Sequence, residues 1–170
     1  MRLSDYTDYS LRVLMYCATH PGRLVTIAEL AAQHGVSKNH LMKVVNDLAR
    51  QGLLETTRGR GGGVRLLPQP ADIRVGEVVR RSETDFRLVE CFDLSRNACV
   101  LTPVCRLKSV FGAALAAYFE VLDGVTLADI CGPVVPAGQP AVAFAGRVAA
   151  GRQPVSAPVS RRRAALKPEA

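Results

Sequence analysis

The sequence predicts a mainly α-helical protein that begins with a winged helix-turn-helix. Two observations lead to this fold class. Three amphipathic helical segments come before a short hairpin rich in glycine and arginine, all within residues 1–67. Further along, a cysteine-bearing loop is followed by a segment whose apolar residues recur at spacings of three and four, which is typical of a long dimerisation helix.

The first three helices are marked by apolar stripes and by the residues at their ends. The first begins near Tyr6 and breaks at the His-Pro-Gly of residues 20–22. Thr26 lies three residues before Glu29, the spacing of a capping box, and opens the second helix. Ser37 is a suitable N-cap for the third, and the short turn HGVS that leads to it contains glycine. Helices two and three therefore form the predicted helix-turn-helix.

The stretch LLETTRGRGGGVRLL predicts a β-hairpin, because two short apolar runs flank a glycine-rich tip. A phosphate-binding loop is the weaker interpretation of these glycines, since neither a Lys-Ser/Thr pair nor a helix follows them. Three helices and a basic hairpin, in this order, make up a winged helix-turn-helix.

The charge of this first part favours a nucleic-acid partner, because residues 1–67 hold nine Lys or Arg against five Asp or Glu. In such a domain the third helix enters the major groove, and the wing reaches the minor groove or the backbone. The candidate DNA-binding residues are therefore Ser37, Lys38, Asn39, His40, Lys43, Arg58, Arg60 and Arg65. Structural roles stay open for some of them, since a serine N-cap and an exposed lysine need no ligand.

Three further helices are expected. A fourth helix lies near residues 73–81. The long helix is predicted to begin at Thr102-Pro103, an N-cap residue followed by proline at the first helical position. Its apolar seam starts at Val104 and continues with Leu107, Phe111, Ala114, Tyr118 and Val121, and beside a small domain such a seam favours a dimer interface. A last short helix is expected at TLADI, residues 126–130.

These elements divide the chain into three parts. Residues 1–67 form the DNA-binding domain, and residues 68–130 hold the cysteine loop and the dimerisation helix. Residues 131–170 are predicted to be a disordered basic tail, because Pro, Ala and Gly dominate and no periodicity persists. The sequence shows no signal peptide and no apolar run of membrane-spanning length, which predicts a cytoplasmic protein without a membrane partner.

Three of the five cysteines fall within fifteen residues, at Cys91, Cys99 and Cys105. Neighbouring thiolates repel one another unless a cation neutralises them, and iron–sulfur clusters prefer thiolate ligands. The lack of any Cys-x-x-Cys weakens a zinc site, but zinc and redox-active thiols stay open on spacing alone. A thiol-dependent enzyme is disfavoured, because all three histidines lie in the DNA-binding part.

Four segments resemble the nitric-oxide-sensing branch of the Rrf2 family of winged-helix regulators. They are MRLSDYTDYSLRVLMY, GVSKNHLMKVVNDLARQGLLETTRGRGGGVRL, IRVGEVVR and CVLTPVCRLKSVFGAALAAYFEVLDGVTLADI, and the likeness runs to about residue 130. The resemblance implies a homodimeric transcriptional repressor that binds an AT-rich inverted repeat in double-stranded DNA and controls genes of nitrosative-stress defence. It also implies that nitric oxide is the signal.

The resemblance further implies one iron–sulfur cluster per subunit, 4Fe–4S or 2Fe–2S, held by Cys91, Cys99 and Cys105. Asp8 of the partner subunit is the implied candidate for a fourth ligand, and an ion pair with Arg12 is the structural alternative for that aspartate. A related regulator of iron–sulfur biogenesis has a histidine three residues after its third cysteine, where this chain has Lys108. A family member that senses iron status or redox state stays the alternative function.

Overall fold

The computed structural model describes residues 2–93 and 95–132. In chain order the elements are α1 (Asp5–Ala18), α2 (Ile27–His34), α3 (Lys38–Arg50), β1 (Leu54–Thr57), β2 (Gly63–Leu66), a 3-10 turn (Pro70–Asp72), α4 (Val75–Ser82), a second 3-10 turn (Glu90–Phe92), α5 (Leu107–Asp123) and α6 (Leu127–Ile130). Three helices followed by a two-stranded antiparallel hairpin confirm the winged helix-turn-helix.

Side-chain hydroxyls cap the helices where the sequence predicts. Thr26 accepts a hydrogen bond from the Glu29 N–H, and Ser37 accepts one from the His40 N–H. The turn between α2 and α3 passes through Gly35 in the left-handed conformation (φ 65°), which a residue with a side chain adopts only at a cost. This turn sets the angle at which α3 leaves α2.

The wing is tied to the helical part by backbone hydrogen bonds. β1 and β2 pair in a register that sets Leu54 opposite Leu66, and Val25 forms an antiparallel bridge with Val64. The Val25 N–H and C=O both bond to Val64, at 2.8 Å each. The segment before α2 therefore acts as a short third partner of the hairpin.

One apolar core joins the helix-turn-helix to the elements that follow the wing. Its buried side chains come from α1, α2, α3 and the hairpin, and also include Ile73, Val78 and Leu127. The core thus continues past residue 67, while the division of the chain at that residue stays a prediction. The hydrogen bond from the Leu127 N–H to the Ile73 carbonyl (2.8 Å) holds α6 against this core.

The long helix α5 stands largely outside this core, and none of its residues is buried. Its C-terminal half packs through Phe119 and Leu122 on a small cluster formed by Val75, Val79 and Val125. No contact with the described residues buries any side chain of α5, so an apolar face of the helix stays exposed.

The predicted start of the long helix at Thr102-Pro103 was wrong, because α5 begins at Leu107. The Thr102 hydroxyl exchanges hydrogen bonds with the Asn97 side chain (3.0 and 3.2 Å) and so does not cap a helix. Turn-type bonds, from the Thr102 N–H to the Cys99 carbonyl and from the Val104 N–H to the Leu101 carbonyl, occupy the expected first turn. The cysteine loop is therefore longer than the sequence suggests.

The predicted tail, residues 131–170, lies outside the described residues except for its first two. Among the helices that the structure describes, none is long and apolar enough to cross a membrane.

Candidate functional site

The outward face of α3 is polar and exposed. Leu41, Val44, Val45 and Leu48 point into the core, which leaves Lys38, Asn39 and Lys43 exposed on the opposite face. Met42, which is 44% exposed, and Asn46 lie on the same face and were missed by the sequence analysis. The sequence pattern could have found them, because the α3 positions outside the buried stripe lie on the face that is open to a ligand.

Two of the predicted DNA-binding residues also serve the fold. The Ser37 hydroxyl caps α3, and the His40 ring meets the Tyr9 ring edge to face, with 5.2 Å between the centroids. His40 is half-buried, so only part of its ring can reach DNA. The Tyr9 contact fixes the start of α3 against α1.

The wing offers two exposed arginines at its tip and one on its strand. Arg58 and Arg60 are exposed and make no ion pair with any described residue. Arg65 donates from Nε to Glu55 Oε2 (2.8 Å) across the hairpin, which raises the pKa of Arg65. The tip arginines are therefore free to move towards a phosphate, whereas Arg65 would have to share its charge.

Two hydrogen-bonded links hold α1 against the helix-turn-helix. The Tyr6 hydroxyl donates to the Asp47 carboxylate on α3. The Tyr16 hydroxyl donates to Glu29 Oε1 on α2 (2.8 Å), and Arg23 donates to both oxygens of the same carboxylate. These bonds, that of Arg23 first, lower the pKa of Glu29 to about 2. Because Glu29 is engaged in this way, Thr26 caps α2 without the reciprocal bond of a full capping box.

The five free cysteines fall into two groups. Cys17 is buried in the core, where burial raises the pKa of its thiol to about 12. Cys131 packs against the same core and directs its sulfur at the Met15 carbonyl (3.8 Å). Cys91, Cys99 and Cys105 are partly exposed and lie between α4 and α5, Cys91 in the second 3-10 turn and the other two in irregular chain. The second group lies outside the core and so is the better placed to bind an added ligand.

The cysteine loop is braced by polar contacts rather than by an apolar core. Arg87 bridges Asp85 (2.6 Å) and Asp93 (2.5 Å), and Glu90 accepts a hydrogen bond from the Ala98 N–H (2.6 Å). The Cys99 N–H donates to the Asn97 side chain (3.2 Å). None of these contacts engages a thiol, so the sulfur atoms keep their full capacity to bind a metal.

Three free thiols are a donor set whose chemistry fits an iron–sulfur cluster. Within residues 2–93 and 95–132 of the single chain, no three His, Cys, Asp or Glu side chains are gathered closely enough to hold a metal ion. The chain thus presents the candidate ligands on a loop with little regular structure, and they would have to converge on the metal.

Asp8 lies on α1 and pairs with Arg12, with 2.8 Å between the carboxylate and the guanidinium. Both side chains are about half exposed, so this helix-internal pair leaves the carboxylate accessible. The observed contact is the structural alternative that the sequence analysis kept open for this residue.

The predicted dimer seam lies on the open face of α5. Leu107 is 53% and Val121 43% exposed, Ala114 is exposed, and Phe111 and Tyr118 are half-buried. The apolar surface extends back into the cysteine loop through Val100 (88% exposed) and Val104 (81%). A continuous apolar patch of this kind is typical of an interaction surface.

Comparisons with known proteins agree with this arrangement. A family model described as Rrf2, iron-dependent transcriptional regulator, matches residues 3–133. The HTH-type transcriptional regulator NsrR of Bacillus subtilis is 55% identical over 131 residues, which cover 76% of this chain and 90% of that protein. NsrR of Bacillus licheniformis is 53% identical over the same length, with 92% of that protein covered.

Solved structures show the same fold. T. potens IscR matches with a TM-score of 0.61 and 27% identity, over 76% of this chain and 85% of that one. The oxidized form of Staphylococcus aureus CymR matches with a TM-score of 0.64 over 79% of this chain and 99% of that one, and at 22% identity this likeness concerns the fold alone.

Proposed function

The chain belongs to the Rrf2 family of transcriptional regulators, and from that premise we propose that it is a homodimeric repressor gated by an iron–sulfur cluster that senses nitric oxide. It is a DNA-binding regulator and not an enzyme, as the named transcriptional regulators among its relatives indicate. The observation that carries the finer proposal is the separation of the cysteines. Three lie partly exposed in one loop outside the core, whereas the other two are packed in or against the core.

DNA recognition falls to α3 and the wing. Lys38, Asn39 and Lys43 are positioned to reach base edges and phosphates in the major groove, and Arg58 and Arg60 to approach the minor groove or the backbone. A second copy, joined through the seam on α5, would present a second recognition helix. Two such helices suit an AT-rich inverted repeat in double-stranded DNA.

Cys91, Cys99 and Cys105 would hold one cluster per subunit, 4Fe–4S or 2Fe–2S. Asp8 of the partner subunit is the candidate for a remaining ligand position, because it is an accessible carboxylate on the first helix. When bound, the cluster supplies iron to which nitric oxide, a small neutral ligand, can bond directly.

One candidate ligand adjoins the dimer helix, and another lies on a helix that contacts the recognition helix. Cys105 lies two residues before α5, so a ligand bound at Cys105 would also restrain the start of the dimer helix. Asp8 lies on α1, which the Tyr6–Asp47 hydrogen bond and the Tyr9–His40 contact join to α3. A differential operator affinity of a few kcal/mol between two states of the loop is enough for gating.

A regulator of the same fold that senses iron status or redox state is the second candidate. The family description, iron-dependent transcriptional regulator, and the likeness to IscR favour it. The two candidates share the cluster ligands and differ in the signal that releases DNA.

An anaerobic gel-shift titration tests the proposal. Wild-type protein purified with its cluster should bind the operator and lose it as nitric oxide is added, whereas Cys99→Ser should bind weakly throughout. Cys17→Ser, which alters a core cysteine, is the control and should respond like wild type. Tight binding by the cluster-free form, insensitive to nitric oxide, would contradict the proposal. Release by iron chelation or oxidation but not by nitric oxide would select the second candidate.

A further inference from the structure

We propose that Arg80 is a positioning residue for this regulation: through Asp123 it fixes the dimer helix α5 against α4, which packs on the DNA-binding domain, and so sets how strongly the cysteine loop controls operator affinity. This inference rests on the proposed function. The contacts among Gly76, Arg80, Phe119 and Asp123, called the α4–α5 joint below, carry it.

The α4–α5 joint is a two-point clamp. Arg80 Nη1 donates to Asp123 Oδ1 (2.5 Å), and Nη2 donates to Oδ2 (2.6 Å). The guanidinium also lies over the Phe119 ring, 4.1 Å from its centroid, and Phe119 in turn meets Phe86 edge to face at 4.7 Å. A bidentate pair stacked on an aromatic ring fixes direction as well as distance, which a single ammonium contact cannot do.

Gly76 allows this close approach. A Cβ atom built at this position would collide with the Asp123 carboxylate, although the backbone angles of Gly76 are ordinary for a helix. Gly76 is the second residue of α4, and its lack of a side chain leaves the space that the Asp123 carboxylate occupies.

The α4–α5 joint provides the polar contacts that attach the largely exposed helix α5 to α4. Among the described residues, the two Arg80–Asp123 bonds are the only side-chain hydrogen bonds that α5 makes to another helix. Since no α5 residue is buried, the angle of this helix depends on the joint and on the small apolar cluster beside it. At its other end, α5 follows the cysteine loop.

On its other side α4 contacts the first helix. Glu83, just after α4, accepts a hydrogen bond from the Ser4 N–H (2.7 Å), and Ser4 is the N-cap of α1. The joint therefore lies between the helix that follows the cysteine loop and the helix that carries Asp8. The joint is therefore one route by which a displacement of α5 reaches the DNA-binding domain, beside the backbone hydrogen bond from the Val75 N–H to the Val125 carbonyl.

An exposed ion pair that only adds stability would contribute little and would act equally on both states of the regulator. A positioning role predicts a different outcome, in which loss of the pair changes the ratio of two affinities. The readout is therefore the operator Kd of the cluster-free protein divided by that of the cluster-loaded protein.

The experiment uses the full chain, purified anaerobically, before and after removal of the metal by chelation. Arg80→Met keeps the aliphatic stem and removes the clamp, Arg80→Lys keeps the charge, and Asp123→Asn keeps the shape. The matched control is Arg81→Met, because Arg81 is the neighbouring exposed arginine and pairs with Glu77 on its own helix. Hydrogen exchange of the amides of residues 115–123 reports the state of the joint without DNA.

Arg80→Met and Asp123→Asn should lower the ratio by about fivefold or more and speed amide exchange at the end of α5. Arg80→Lys should restore only part of the ratio, because a single ammonium contact does not fix the direction of the carboxylate, and Arg81→Met should match wild type. Equal losses of affinity in both forms, or unchanged exchange, overturn the inference. A wild-type ratio above one that Arg80→Met leaves unaltered also overturns the inference, but it leaves the proposed function standing. A wild-type ratio of one overturns the proposed function, and the inference with it.

Discussion

Single side chains on the proposed DNA-binding face differ in whether their charges are already paired. Lys38 and Arg60 are exposed and make no ion pair with a described residue, whereas Arg65 is held by Glu55. A free cation gains a full phosphate contact on binding, while a paired one first has to loosen its partner. The strongest contributions should therefore come from the start of α3 and from the wing tip.

Lys38→Ala and Arg60→Ala test this difference. Each should weaken operator binding and lower the slope of log K against log salt by about one, because one phosphate contact is lost. Fluorescence anisotropy over a salt series measures both quantities. Arg81→Ala, on α4, is the control and should leave the slope unchanged. Wild-type slopes in both variants would mean that DNA binds another surface.

The carboxylate of Glu29 predicts an acid-sensitive contribution to stability. Hydrogen bonds from Arg23 and Tyr16 depress its pKa from about 4.5 to about 2, so the folded state binds fewer protons than the unfolded state within that range. The stabilisation is present above pH 4.5 and is lost as the pH falls towards 2. Partial exposure of both partners reduces its size.

Glu29→Gln should therefore lower the free energy of unfolding at pH 7, and the difference from wild type should be smaller at pH 3. Urea unfolding of the metal-free protein at several pH values measures this convergence. Glu120→Gln changes an exposed carboxylate on α5 and is the control. If the free energies of unfolding of Glu29→Gln and wild type differ by the same amount at all pH values, the Glu29 carboxylate does not make the predicted acid-sensitive contribution.

At the scale of elements, the wing depends on a close backbone approach. A Cβ at Gly63 would lie 2.7 Å from the Val25 carbonyl oxygen, and backbone cannot give way as a flexible side chain can. Gly124 differs, because a Cβ there would be 3.4 Å from its nearest neighbour, an ordinary contact. The two glycines thus offer a matched comparison of the same substitution.

Gly63→Ala should destabilise the protein by about 1–3 kcal/mol and weaken DNA binding, since the wing must shift away from α2. Gly124→Ala should be neutral or stabilise slightly, because alanine reduces the freedom of the unfolded chain. Thermal unfolding and operator affinity of both variants measure the contrast. Equal stability of the two would mean that the wing moves without cost.

Local patterns in the sequence predicted the elements well where the signal was itself local. The Thr26 and Ser37 caps and the order of helices and hairpin follow from neighbouring residues and are confirmed. The start of α5 was wrong because Thr102 resembles an N-cap, while the structure uses its hydroxyl for Asn97 within the loop. Such competition between a cap and a loop contact depends on the loop conformation, which spacing does not reveal.

At the scale of the whole molecule, contacts distant in the sequence could not be predicted from it. The bonds from Tyr6 to Asp47 and from Arg80 to Asp123 join residues 41 and 43 positions apart, and no periodic pattern marks them. The core likewise reaches from α1 to Leu127. The three loop cysteines, by contrast, were predicted to be ligands from their clustering and from the family resemblance, and this role stays a proposal.

The exposed seam leads to a prediction about the whole assembly. In a dimer joined through α5, Phe111 would be buried against the partner, so a charge at this position would lose its water. Phe111→Asp should weaken self-association by about a hundredfold or more, equivalent to about 3 kcal/mol. A monomer reaches only one half-site, so operator affinity should fall with it.

Ala113→Asp is the matched control for this prediction, because it adds the same charge at an exposed position on the opposite side of α5. Sedimentation at several protein concentrations, together with operator titrations, should show Phe111→Asp as a monomer that binds weakly and Ala113→Asp as a dimer that binds like wild type. If Phe111→Asp stays dimeric with full operator affinity, the subunits meet elsewhere. If both variants dissociate, the subunit contact is not confined to one side of α5, because a one-sided seam would be disrupted only by the charge at residue 111.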